Sequence, residues 1–213
     1  FSAAYTLSKN EDFTSGTGSL SNFVLSFLSN DQKNPGQARG LNDFDRTHRF
    51  VVSFVYAPPR LDMGPRALRY ALSQWQFSGQ SVLQSGLPLT VTDSTAGSIF
   101  GNLPGFSRAQ CTGADPASSG SLNSRIDGYY NPVAFAPPPV IGDGTGFGNC
   151  GVGILRGPGQ QNLDFGIQRS FTVREGQALQ FRAEFFNLTN TPKFGQPVSD
   201  FAAGPAARAH CHL

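Results

Sequence analysis

The sequence predicts an all-β protein, and three observations carry that expectation: its composition, a period-two side-chain pattern, and the order of its connection lengths. Only 14% of the 213 residues are charged, whereas 12% are aromatic, 19 of them Phe. With 25 Gly and 15 Pro, this mixture suits strands joined by turns and excludes helical bundles and coiled coils. A formal charge of +2 is too small for a protein whose main business is the phosphate backbone, so no nucleic-acid partner is expected. No apolar run approaches the ~18 residues of a membrane-crossing helix, and no signal peptide is visible.

Five segments alternate. In residues 1–7, Phe1, Ala3, Tyr5 and Leu7 share one face, and in 48–56 Phe50, Val52, Phe54 and Tyr56 do. The third segment, 74–92, alternates less cleanly, with Trp75, Phe77, Leu83, Leu87, Leu89 and Val91 in phase. The fourth, 162–173, is led by Leu163, Phe165, Ile167, Phe171 and Val173. In the fifth, 178–190, Leu179, Phe181, Ala183 and Phe185 alternate with Gln180, Arg182, Glu184 and Phe186. No segment carries a helical stripe of useful length; residues 19–29 come nearest, as a short helix or a loop.

The connections between these segments hold about 38, 16 and 69 residues and then four, Arg174-Glu175-Gly176-Gln177, so long and short alternate. In an up-and-down antiparallel sheet this sorts every long loop to one end, as in outer-membrane barrels. A strand crosses lipid only when its sheet closes, because each backbone N–H and C=O needs a protein partner there. The expectation is therefore an antiparallel up-and-down transmembrane β-barrel, represented by about five meandering strands with long external loops. Arg182, Glu184, Gln180 and Asp164 fall on the lumen face, as a translocation path or as a ladder that stabilises the wall. Tyr56, Trp75 and Phe171 gather beside the short connections, as interfacial aromatics do. The alternative is a soluble or surface β-sandwich, binding glycan or protein through its loops, with the same apolar faces packed on a second sheet.

Chemistry-bearing motifs are sparse. His48 stands among Asp43, Asp45, Arg46 and Arg49, which reads as a charged patch at a strand end rather than an acid–base pair. No G-x-S-x-G or H-E-x-x-H occurs. His210, Cys211 and His212 are too crowded for a tetrahedral metal site. The letters of G-x-G-x-x-G at 146–151 lack a preceding strand and a following helix. One carboxylate, Asp143, is too few for calcium, and Asn187-Leu188-Thr189 falls in a strand. Catalytic, cofactor and metal residues are therefore expected to be none, and no enzyme is expected. Cys111 and Cys150 either pair across the third connection, restricting a loop of about 40 residues by roughly 4 kcal/mol, or remain two unrelated thiols.

Four blocks carry a family resemblance. Asn42-Asp43-Phe44-Asp45-Arg46-Thr47-His48-Arg49-Phe50-Val51-Val52-Ser53 resembles the "fDR-HRfv-S" stretch of large TonB-dependent receptors of the Oar-like kind. Trp75-Gln76-Phe77-Ser78-Gly79 with Gln84-Ser85-Gly86-Leu87-Pro88-Leu89-Thr90-Val91 is similar to their "gWqlsGi…qSG-Pftv". Tyr130-Asn131-Pro132-Val133-Ala134-Phe135, Phe147-Gly148-Asn149 and Leu155-Arg156-Gly157-Pro158-Gly159 resemble "fNp-aF…fGn…lRGPg". Asn162-Leu163-Asp164-Phe165 and Gln180-Phe181-Arg182-Ala183-Glu184-Phe185-Phe186-Asn187-Leu188-Thr189-Asn190 resemble "n-Dfsl…lqfRaEfFNlfN". The resemblance implies a 22-stranded outer-membrane barrel with an N-terminal plug, driven by the TonB complex, taking up a siderophore, carbohydrate, peptide or vitamin. Residues 1–197 would be its C-terminal part, with outer-membrane lipid and the TonB complex as partners, the latter through N-terminal regions outside this stretch. Residues 198–213 depart from the pattern, with no strand periodicity and no final aromatic, and read as a truncation or frameshift.

Overall fold

The computed structural model describes residues 1–13, 34–59, 63–93, 107–141, 144–145, 147–203 and 209–211. The possible helix at 19–29 lies outside them. The described chain divides into two compact units.

The first unit is a five-stranded sheet: β1 (Ser2–Leu7), β2 (His48–Tyr56), β3 (Trp75–Gln84), β4 (Gln160–Arg174) and β5 (Gln177–Phe185), in that spatial order. Sequence order and spatial order coincide, and the β2–β3, β3–β4 and β4–β5 pairs are antiparallel. The meander is thus an up-and-down one. β4 and β5 form a hairpin closed by Glu175 and Gly176, with a bulge between Thr172 and Arg174.

The register sorts most side chains by polarity. On one face, cross-strand rows read Phe50–Leu83–Gln161, Val52–Ser81–Leu163, Phe54–Gly79–Phe165–Phe185, Tyr56–Phe77–Ile167–Ala183, Trp75–Arg169–Phe181 and Phe171–Leu179. The opposite face carries Arg49–Gln84–Gln160, Val51–Val82–Asn162, Ser53–Gln80–Asp164, Val55–Ser78–Gly166–Glu184, Gln76–Gln168–Arg182 and Ser170–Gln180, polar apart from three valines. Gly79 is required by close approach: a Cβ there would sit 2.5 Å from the Phe54 ring. The apolar face is not a dry interior. Leu179 is 63% exposed and Phe181 51% exposed, and Tyr56, Leu83 and Phe185 are exposed as well. A sandwich would cover these residues with a second sheet; a barrel turns them toward lipid.

Three boundaries differ from the sequence expectation. β3 stops at Gln84, not near 92, because Gly86 and Pro88 interrupt it; Leu89 and Val91 instead join the core of the second unit. β5 ends at Phe185, not Asn190, because Asn187 and Asn190 adopt positive φ of 49° and 48°. The chain there turns back, with Leu188 N–H donating to Leu163 O at 2.7 Å. Finally, the connection after β2 contains α1 (Arg66–Leu72), a helix the alternation did not announce. Its Ser73 N–H closes on Arg69 O, and Gln74 follows with φ 65°, the left-handed position that commonly ends helices.

The second unit is built from the long connections and from residues 193–213. Two-residue ladders organise it: Glu11–Asp12 with Gly40–Leu41, Pro88–Leu89 with Leu155–Arg156, Thr92–Asp93 with Ser107–Arg108, and Gln110–Cys111 with Phe135–Ala136. Its core contains Leu89, Val91, Ala109, Tyr130, Ala134, Phe135, Cys150 and Leu155. Residues 198–213, expected without strand character, include Ala209–Cys211, which pairs with Phe194–Pro197.

Candidate functional site: a polar sheet face and a cross-linked loop unit

Within the sheet, the polar face is a run of amides with few charges. Gln84 donates to Gln160 at 2.7 Å, Gln168 to Gln76 at 2.5 Å and Gln180 to Gln168 at 3.5 Å. The three charged residues expected there are engaged within the wall. Arg182 pairs with Glu184 two residues along the same strand. Asp164 accepts from the Asn187 N–H at 2.9 Å and from Asn162 Nδ2 at 2.7 Å, which anchors the turn after β5. That turn is cross-braced by Asn187, whose side chain donates to Thr191 O and accepts from Thr191 N–H. The arrangement offers hydrogen-bonding capacity along a wall, with no nucleophile beside a base.

His48 also contacts the neighbouring strand. Its Nδ1 lies 2.8 Å from Tyr5 Oη, and the two rings stack with centroids 6.2 Å apart. Tyr5 belongs to β1, so this contact joins the first two strands.

In the second unit, Asp45 and Arg156 form the central polar node. Arg156 Nη2 lies 2.6 Å from Asp45 Oδ2, and Asp45 is only 3% exposed. Asp45 also accepts from the Asn10 N–H at 2.8 Å and from Thr47 Oγ1 at 3.2 Å, while Arg156 Nη1 donates to Gly86 O at 3.1 Å. Burial alone would raise the Asp45 pKa; the Arg156 and Asn10 hydrogen bonds outweigh it and hold the carboxyl below its usual value. Arg46 Nη1 reaches Ser85 O at 2.8 Å. Four stretches distant in sequence therefore meet at one node.

The remaining motif residues have equally local reasons. Gly86 lies against the Gly157 carbonyl, where any Cβ would collide, and Gly157 N–H donates to Leu87 O at 2.8 Å. Asn149 Oδ1 accepts from the Cys111 N–H at 2.7 Å, and the Asn149 backbone N–H donates to Gln110 Oε1 at 3.2 Å. Asn131 caps the 3-10 turn Pro132–Ala134 through the Val133 N–H. Tyr130 packs edge-on against Phe135, and burial, reinforced by Asp200, pushes its phenol up to about 12. Cys111 and Cys150 are disulfide-bonded, with Cα atoms 5.0 Å apart, which settles the two-thiol alternative.

Among the described residues no group of three His, Cys, Asp or Glu side chains could hold a metal. Asp143, Gly146 and His212 lie outside the described residues, as do the side chains of His210 and Cys211.

Sequence reasoning missed the Asp45–Arg156 node, whose members are 111 positions apart. It also missed Arg169, a cation placed on the apolar face but only 7% exposed. Its guanidinium lies over the rings of Phe171, Trp75 and Tyr70, at 4.4, 5.3 and 5.4 Å, and donates to Tyr70 O. The signal available was the aromatic cluster beside the short turns, which the sequence reading assigned to an interface and not to a buried charge.

No curated protein and no solved structure matches the chain. A family model described as the outer membrane beta barrel domain matches residues 1–208, nearly the whole length. That match agrees with a meandering antiparallel sheet with one exposed apolar face and one polar face, and places the protein in the outer membrane. The chain belongs to the outer membrane beta barrel domain family.

Proposed function

We propose that the chain contributes strands to the barrel of a TonB-dependent receptor of the Oar-like kind, which takes up a scarce solute actively across the outer membrane. One observation carries this reading: the connections at one end of the sheet fold into a cored, disulfide-bonded unit of their own. A passive pore needs an open mouth, whereas a capture device needs an ordered surface to select its solute. The sequence blocks that resemble those of the receptors contain Asp45, Gly86, Asn149 and Arg156, which brace that unit. The amide-lined face of the sheet offers many weak hydrogen bonds, which allow a solute to move without trapping. The energy step belongs to a plug and a TonB-contacting segment outside these residues. No bond in the solute is made or broken.

The test is uptake by whole cells that carry or lack the gene, with labelled ferric siderophores, oligosaccharides and peptides. Accumulation of one class against its gradient, abolished by a protonophore and by loss of TonB, is expected. Gene-dependent entry that is unchanged in de-energised cells would overturn the proposal in favour of a passive channel.

A further inference from the structure

At the short-turn end of the sheet, α1 and the apolar face enclose a cleft of about 570 Å³, lined by Pro59, Ala71, Leu72, Trp75, Phe77 and Ile167. Trp75, Phe77 and Ile167 belong to the apolar rows, which face acyl chains in an outer-membrane barrel. The cleft is therefore continuous with the lipid-facing surface. Arg169 and Trp75 join the helix to the strands beside it. Arg169 donates to Tyr70 O, and Trp75 Nε1 donates to Ala71 O at 2.9 Å. These bonds satisfy carbonyls that the end of a helix leaves without partners, and they tie α1 to the strands. Buried among three aromatic rings, Arg169 is spent on this tie and is not itself the headgroup ligand.

The charge on α1 points to one occupant. Arg66 and Arg69 are exposed, three residues apart and hence on neighbouring helix positions, and α1 contains no acidic residue. Met63, Leu68, Tyr70 and Leu72 are exposed beside them. Basic and apolar side chains together on a short helix beside a lipid-facing surface describe an interfacial element. A soluble anion would satisfy the arginines and leave the cleft unused; a neutral tail would do the reverse.

We propose that this cleft is a binding site for one anionic membrane phospholipid. Its acyl chain lies along Leu72, Trp75, Phe77 and Ile167, and its headgroup phosphate meets Arg66 and Arg69. The inference rests on membership of the barrel family and is independent of the proposed uptake.

Trp75 is the sole tryptophan of the 213 residues, so the site carries its own reporter. The protein is reconstituted in vesicles containing brominated phosphatidylglycerol or brominated phosphatidylcholine, and quenching is read as a function of mole fraction. Subtracting the signal of Trp75→Phe isolates this residue in any longer chain. Half-quenching by the anionic lipid is expected at a mole fraction lower by a factor on the order of five per arginine. The double substitution Arg66→Gln with Arg69→Gln should abolish that preference while leaving quenching by both lipids. Ala71→Phe, which fills the cleft without touching the arginines, should also abolish it. Equal half-quenching by the two lipids in the unaltered protein overturns the site, because that is the behaviour of ordinary surrounding lipid. A preference that survives Ala71→Phe overturns it too, since the cleft would then be irrelevant.

Discussion

Asp45 shows how a single carboxylate can matter more than its element. Nearly all of its surface is buried, and Arg156, Asn10 and Thr47 supply the hydrogen bonds that make an ionised group tolerable there. Asp45→Asn leaves the partly exposed Arg156 guanidinium without its counter-charge and should cost about 1–3 kcal/mol, read as a lowered denaturant midpoint of the second unit. The pH dependence follows from the depressed pKa. The ionised form is favoured by folding, so its stabilisation is complete above the unfolded carboxyl value of about 3.9 and fades as pH falls through the lower folded value. Melting curves between neutral pH and pH 3 should show that loss in the native protein and a flatter profile in Asp45→Asn. At Cys111 and Cys150 the 39-residue separation makes the cross-link worth roughly 4 kcal/mol through the unfolded chain. Reduction, or paired replacement by Ser, should lower stability by about that amount; an unchanged melt would mean that the unit needs no tie.

At the scale of elements, the two faces of β5 give opposite expectations. Phe181 lies on the apolar face and Gln180 on the polar one. Phe185→Arg, on the same apolar face and in the row of Gly79 at the middle of β3, should destabilise the folded barrel by about 2–4 kcal/mol, whereas Gln180→Arg should be tolerated. Heat-dependent electrophoretic mobility of the folded protein in detergent distinguishes them. Gly79→Val should fail for a different reason, since its side chain enters the space of the Phe54 ring and overpacking costs about 1–3 kcal/mol. The strands of the hairpin were legible in the sequence because each alternates over most of its length, Arg169 apart, and a short Gly-containing turn joins them. α1 was not, since seven residues, Arg-Ala-Leu-Arg-Tyr-Ala-Leu, are too few for a helical stripe to stand out. The far end of β3 misled in the opposite way. Leu89 and Val91 keep the strand phase by letter, yet they serve another core once Gly86 turns the chain aside. Contacts that close over more than a hundred positions, such as Asp45 with Arg156, leave no trace in local pattern at all.

For the whole molecule, alternation of long and short connections announced the meander and the end from which every loop departs. It did not announce that those loops would fold into a unit with buried Asp93, Arg108 and Asp45, because loop composition alone reads as polar linker. Inside the bilayer β1 and β5 present the edges of the described sheet, and each edge needs backbone partners beyond these five strands. Fractionation of cells should therefore find the protein in outer membranes, resistant to alkaline carbonate and released by detergent; recovery in the aqueous fraction would contradict the lipid-facing assignment of Phe181 and its neighbours. The staple between Cys111 and Cys150 carries one more consequence. A protease that nicks the backbone anywhere from 112 to 149 cuts the polypeptide without separating its pieces, because sulfur still bridges the wound. Such a nicked molecule would migrate as one band without thiol and fall into two with it, and its strands on either side would stay tethered through the damage.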